Sequence, residues 1–125
     1  MVTTTILAIV TDLMFQSRVQ QHAQALGHKL LMADTESAVR EALATKPSLV
    51  ILDLHAGAID WRSAVGMAKQ SGVPVLAFGR HTEAQLLRAA REAGCDRVVA
   101  RSTLVEELPQ LIEQLIRAKA GGAGA

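Results

Sequence analysis

Residues 46–54 read Lys46-Pro47-Ser48-Leu49-Val50-Ile51-Leu52-Asp53-Leu54. Pro47 disfavours helical backbone in the residue before it and so closes whatever helix precedes it. The run Leu49–Leu52 has no polar alternation, which is the pattern of a strand buried on both faces of a sheet. It ends on a carboxylate, Asp53, and a charge closing an apolar strand needs a partner. Four further runs share this aliphatic, β-branched character: Thr5–Val10, Lys29–Ala33, Pro74–Phe78 and Arg97–Ala100, with the central strand spanning Leu49–Leu54. Each of the first four is followed by a helical pattern and a stop signal, so β and α segments alternate five times. The expected class is α/β, a doubly wound (βα)5 sandwich with a five-stranded parallel sheet and helices on both faces.

The helical stripes are consistent with one another. Phe15, Val19, Ala23 and Leu26 share one face of a first helix that ends at Gly27. The second starts near Thr35, buries Ala38, Val39, Ala42 and Leu43, and stops before Pro47; the third turns Ala64, Val65 and Ala68 inward and ends at Gly72. The fourth opens with Thr82 and Gln85 at capping-box spacing, buries Ala84, Leu87 and Ala90, and ends at Gly94. For the last, Thr103 and Glu106 also have capping-box spacing, but Pro109 would remove a hydrogen bond from a helix already running. The expectation is a short turn and then a main helix from near Leu108, with Pro109 in its first turn and Leu108, Leu111, Ile112, Leu115 and Ile116 on its inner stripe. One domain is expected over 1–119, with residues 120–125 a flexible Gly/Ala tail.

The chain has 125 residues, 50% of them hydrophobic, and a formal net charge of +1 from 13 basic and 12 acidic side chains. It can fill a core, and it carries no basic field for nucleic acid or anionic lipid, so neither is expected as a partner. An aromatic content of 2% excludes base-stacking platforms. The apolar run Ile6–Val10 is too short for a signal peptide or a membrane span, and a cytosolic location is expected. Cys95 is the one cysteine, which rules out an internal disulfide or thiolate cluster. No nucleophile elbow, HExxH or base beside Cys95 is present, and the chain is not expected to be an enzyme.

In an open parallel sheet, ligands meet the carboxyl ends of the strands. Thr11 and Asp12 follow the first strand, Asp53 and His55 mark the third, Gly79, Arg80 and His81 the fourth, and Arg101 the fifth. With these residues the sequence resembles the response-regulator receiver domain of two-component signalling, a CheY-like fold, from about Ile6 to Ile116. The segments IVTD, KPSLVILDL, VPVLAFG and AGCDRVVARS carry the resemblance. It implies a flavodoxin-like sheet in the order 2-1-3-4-5. It places Asp53 at the phosphoacceptor position and Asp12 at the acidic position that binds Mg2+ directly. A magnesium site would draw on Asp12, Asp53 and the backbone carbonyl of His55, and would be weak or absent.

Other positions depart from the family pattern. Thr11 replaces a second acidic residue, Gly79 a hydroxyl side chain, Arg101 the lysine that contacts the phosphoryl group, Ser102 the proline after it, and Val98 an aromatic residue of the fifth strand. Phosphoryl transfer needs spread charge neutralised by metal, cation and hydroxyl donors. Half of that apparatus remains, so the resemblance points to a degenerate receiver, or pseudo-receiver, that signals by protein contact. The alternative is a single-domain response regulator that accepts a phosphoryl group on Asp53 from a histidine kinase. An ion pair between Asp53 and Arg101 is expected to close the crevice.

The interaction face of the fourth helix and fifth strand would present Arg88, Arg91 and Arg97 to a signalling protein, a kinase or a second copy; each of these is equally a solvated surface residue. His55 and His81 fall beside the carboxylates, where a borrowed metal site competes with plain loop histidines. Trp61 is read as packing rather than as a binding anchor. A small-molecule or flavin-like ligand lacks the glycine-rich loop it would need after the first strand.

Overall fold

The computed structural model describes residues 4–57 and 59–124, with side chains through Ala118. Strands β1 (Thr5–Ile9), β2 (Lys29–Met32), β3 (Leu49–Asp53), β4 (Val75–Gly79) and β5 (Arg97–Ala100) alternate with helices α1 (Leu13–Ala25), α2 (Glu36–Ala44), α3 (Trp61–Gln70), α4 (Ala84–Glu92) and α5 (Arg101–Gly124). The strands form one parallel sheet in the order β2-β1-β3-β4-β5, with Ile6 level with Leu49 and Asp53 level with Phe78. The doubly wound parallel sheet is the one expected from the strand and helix patterns, and its flavodoxin-like strand order is the one the receiver-domain resemblance implies.

Because strand side chains alternate between faces, the sheet builds two cores. Leu7, Ile9, Val50, Leu52, Val75, Ala77 and Val98 pack under α2, α3 and α4. Ile6, Ala8, Leu49, Ile51, Leu76, Phe78 and Val99 pack under α1 and α5. β3 and β4 are buried along their whole length, which is why neither alternates in sequence. Helices α1, α3 and α4 run out into the left-handed glycines Gly27, Gly72 and Gly94. At Gly94 the backbone, at φ 105°, is one that other residues rarely adopt, and a Cβ would also have to displace the end of the Lys69 side chain. After α2 the left-handed position falls to Lys46, with φ 59°, immediately before Pro47.

Two expectations about helix starts are corrected. α5 begins at Arg101 directly after β5 and runs through Pro109 without a preceding separate turn. An interior proline costs about 3 kcal/mol. Four fully buried side chains, Leu104, Leu108, Leu111 and Ile112, each contribute about 1.5–3 kcal/mol in the opposite direction. The packing of the continuous helix therefore outweighs the lost bond. Helical backbone continues to Gly124, into the run expected as a flexible tail; Ala125 and the side chains beyond 118 lie outside the described residues. α4 takes Glu83, not Thr82, as its N-cap, with no side-chain cap bond, and Ala84 is exposed. The inward pair is Leu87 and Ala90. Among the described residues no helix is long and apolar enough to cross a membrane.

Candidate functional site

The carboxyl ends of β1, β3, β4 and β5 meet at a crevice of about 220 Å3, lined by Thr11, Asp12, Asp53, His55, Phe78, Gly79, Arg80 and Arg101. Of the expected pocket residues, the structure brings together all but Val98. Alternation along β5 turns Val98 to the α2, α3 and α4 side, where it is buried in that core.

Asp12 forms the first wall. It is the N-cap of α1, and its Oδ1 accepts hydrogen bonds from the Met14 and Phe15 amides at 2.9 and 3.2 Å. Its Oδ2 is thereby turned across the crevice, where it accepts from Arg101 Nη2 at 3.1 Å. The Phe15 amide, followed by the Met14 amide and the charge of Arg101, holds the Asp12 carboxyl below its ordinary value, against a smaller upward push from desolvation. The same guanidinium lies 4.2 Å over the Phe15 ring, and Phe15 stacks on Phe78 with centroids 5.1 Å apart and planes 17° from parallel. Arg101 is thus fixed from below by an aromatic pair and from the side by a carboxylate. Its Nε is buried without a hydrogen-bond partner among the described residues.

Asp53 forms the floor and is 6% exposed. Its Oδ1 accepts from the His55 amide at 2.9 Å, a tight turn at the end of β3. The expected Asp53–Arg101 ion pair is not formed. Phe15 draws the guanidinium over the start of α1, within reach of the outward oxygen of Asp12 and away from the sheet end.

The second wall comes from the loops after β3 and β4. His55 Nε2 accepts a hydrogen bond from the Arg80 amide at 3.3 Å and lies 3.9 Å from Glu83 Oε2. Arg80 Nη1 is also 3.9 Å from Glu83 Oε1. The imidazole packs over Gly79: a Cβ there would stand 3.4 Å from His55 Nε2 and 3.2 Å from Leu87 Cδ2.

Three of the four carboxylate oxygens of Asp12 and Asp53 are already engaged. Both oxygens of Asp12 accept N–H donors, one oxygen of Asp53 accepts an amide, and Thr11 offers no charge. A guanidinium supplies the positive charge beside Asp12, where a directly coordinated Mg2+ would have to compete with it for Oδ2. Among the described residues no group of three or more His, Cys, Asp or Glu side chains is placed to hold a metal, and His81 is exposed. Burial pushes the Cys95 thiol up to about 11, which keeps it protonated at neutral pH. Arg88 and Arg91 on α4 and Arg97 at the start of β5 are exposed, as expected of the outer face. Trp61 is half-buried, packs against the core under α2, α3 and α4, and carries the Arg62 guanidinium 4.4 Å over its ring. Sequence reasoning missed Phe15, Phe78 and Glu83 as site residues. The available signal was that the chain's two phenylalanines flank the crevice strands, one just after β1 and one in β4.

No family model matches the sequence, and neither does any curated protein. Solved structures do match in fold. The receiver domain of NtrX from Brucella abortus superposes with a TM-score of 0.79 at 19% identity, over 90% of this chain and 98% of that one. A response-regulator structure from Chloroflexus aurantiacus gives 0.81 at 18% identity, over 93% and 99%. A structure described as one of a family of redox sensors in the streptococci that evolved from two-component response regulators gives 0.83 at 13% identity, over 97% of this chain and 54% of that one. Longer NtrX chains also match, and this chain spans 29% of their length. The five-stranded sheet and its five helices thus have the architecture of response-regulator receiver domains.

Proposed function

We propose that this chain is a receiver-type module of two-component signalling that acts by protein contact, with the acidic wall of its acceptor crevice paired internally with Arg101. The observation that carries this reading is the Arg101–Asp12 pair, in which a guanidinium takes the place of a metal beside the acidic wall. Phosphoryl transfer to Asp53 needs a metal, a cation and hydroxyl donors around the phosphorus. Here the hydroxyl position is Gly79, the second acidic position is Thr11, and the cation is committed to Asp12. Each missing transition-state contact of this kind costs about 3 kcal/mol. A weak Mg2+ requirement or none follows, and no catalytic residue is assigned.

Protein contact has two exposed surfaces available. Leu13 and Met14, 79% and 74% exposed, stand at the lip of the crevice beside Asp12, the kind of apolar surface that marks interfaces. Arg88, Arg91 and Arg97, with the exposed Glu92 among them, present a mixed-charge edge on α4 and β5 to a signalling protein, a histidine kinase or a second copy. The streptococcal redox sensors sharing this architecture offer a precedent for a changed signalling role on the same scaffold.

The second reading, a phosphorylatable single-domain regulator, is favoured by one observation. Asp53 stands at the end of the central strand on the crevice floor, and its Oδ2 has no hydrogen-bond partner among the described residues. Intact mass and amide NMR with Mg2+, before and after acetyl phosphate, decide between the two, with Asp53→Ala as control. The proposed reading expects no mass gain and no Mg2+ shift at the crevice amides. One added phosphoryl group, absent in the control and with shifts spreading into β5, would establish the second.

A further inference from the structure

We propose that His55 is a specificity-determining plug, whose imidazole takes the Arg80 backbone N–H at the end of β4 and keeps tetrahedral oxyanions off that donor beside Asp53. This deepens the protein-contact reading, but it stands on a different wall from the Arg101–Asp12 pair. Three observations converge. Gly79 leaves a gap at the end of β4, and the atoms facing that gap belong to His55, Leu54 and Leu87, at 3.4, 3.4 and 3.2 Å from where a Cβ would stand. The imidazole is the polar one of the three. Its Nε2 takes the backbone N–H of Arg80, a strand-end donor of the type that otherwise receives anions. The His55 amide in turn is tied to Asp53 Oδ1, so the residue is anchored at the floor and reaches across to the far loop.

The plug thus replaces an anion in hydrogen bonding. A Cβ at 79 would meet the imidazole at ordinary contact distance and be tight only against Leu87 Cδ2, so what His55 blocks is the Arg80 donor and not the space at 79. Removing the imidazole frees the Arg80 N–H toward the crevice, where Arg101 also lies.

The experiment uses inorganic phosphate as the probe and the full chain at one fixed pH. Asp53→Asn removes the floor charge that would repel the probe, and Asp53→Asn is compared with Asp53→Asn/His55→Ala by amide NMR. The expected result is a saturable shift of the Arg80 amide in the double variant, with affinity greater by about ten-fold than in Asp53→Asn alone, the size of effect produced by one added hydrogen bond to a charged group. Equal phosphate response in the two proteins overturns the proposal. The protein-contact reading is tested by covalent mass gain on Asp53 and the plug by reversible phosphate binding, so either can fail while the other stands.

Discussion

Asp12 and Asp53 end neighbouring strands of one crevice, yet they are different kinds of carboxylate. Asp53 is 6% exposed and is satisfied on one oxygen by a local amide. Asp12 is exposed, accepts two helix amides, and holds the guanidinium. The cation went to the carboxylate that needed it less by burial alone. Burial makes an unpaired charge expensive, but it does not choose the partner. What chose it was the platform under the cation, Phe15 stacked on Phe78, together with the cap geometry that leaves Asp12 Oδ2 pointing into the crevice. The wall of the crevice is therefore built by a long-range aromatic contact, and its floor by the sheet.

The sharpest way to break this contrast is to remove the residue that serves both sides. Phe78 is 1% exposed, sits level with Asp53 in the sheet, and supports Phe15 from beneath. Phe78→Ala should cost about 3–5 kcal/mol in urea unfolding, the range for a buried phenylalanine. It should also loosen Arg101, read as new mobility of its side-chain resonances. Stability loss with an unmoved Arg101 would show that the platform does not set the cation.

A smaller effect is expected from Arg101→Met, which keeps an apolar stem over Phe15 and removes the charge. Stability should fall by less than in Phe78→Ala, since the ion pair is solvent-exposed and such pairs contribute little. The informative readout is Mg2+ titration by amide NMR. With the guanidinium gone, Met14 and Phe15 amides should shift with added Mg2+ in the variant and stay still in the wild type. No shift in either protein would mean that the guanidinium is not what keeps the metal from this wall.

The floor was legible in the sequence and the wall was not. The apolar run Leu49–Leu52, its Asp53 end and the near-regular recurrence of similar runs are local features, and local periodicity is what fixes strands, helices and their order. The partner of Arg101 lies 89 positions away along the chain and is selected by an aromatic stack that no periodicity reports. The start of α4 was misread for a related reason. Thr82 and Gln85 have the spacing of a capping box, yet Glu83 takes the cap, with its carboxylate near both His55 and Arg80 instead of bonded to its own helix. Pro109 misled in the opposite direction: a local rule against interior proline lost to the burial of Leu104, Leu108, Leu111 and Ile112, which depends on the sheet the helix lies on.

The subtlest expected difference between wall and floor is in acid. The Asp12 carboxyl is held below its ordinary value chiefly by the Phe15 amide, then by the Met14 amide and Arg101. A carboxyl depressed in the folded state binds its proton more weakly there than in the unfolded chain, so its contribution is full at pH values above the ordinary carboxylate range and fades as pH falls through the lowered folded value. Urea midpoints followed from neutral pH downward should therefore decline in the wild type below about pH 4. Asp12→Asn keeps a good N-cap acceptor and loses the titrating charge, so its decline over the same range should be shallower. High salt should narrow the gap between the two proteins by weakening the Arg101 part, since exposed pairs are screened, and leave the part due to the two amides. Parallel acid limbs for wild type and Asp12→Asn would show that Asp12 is a cap and nothing more, and would remove the electrostatic half of the wall.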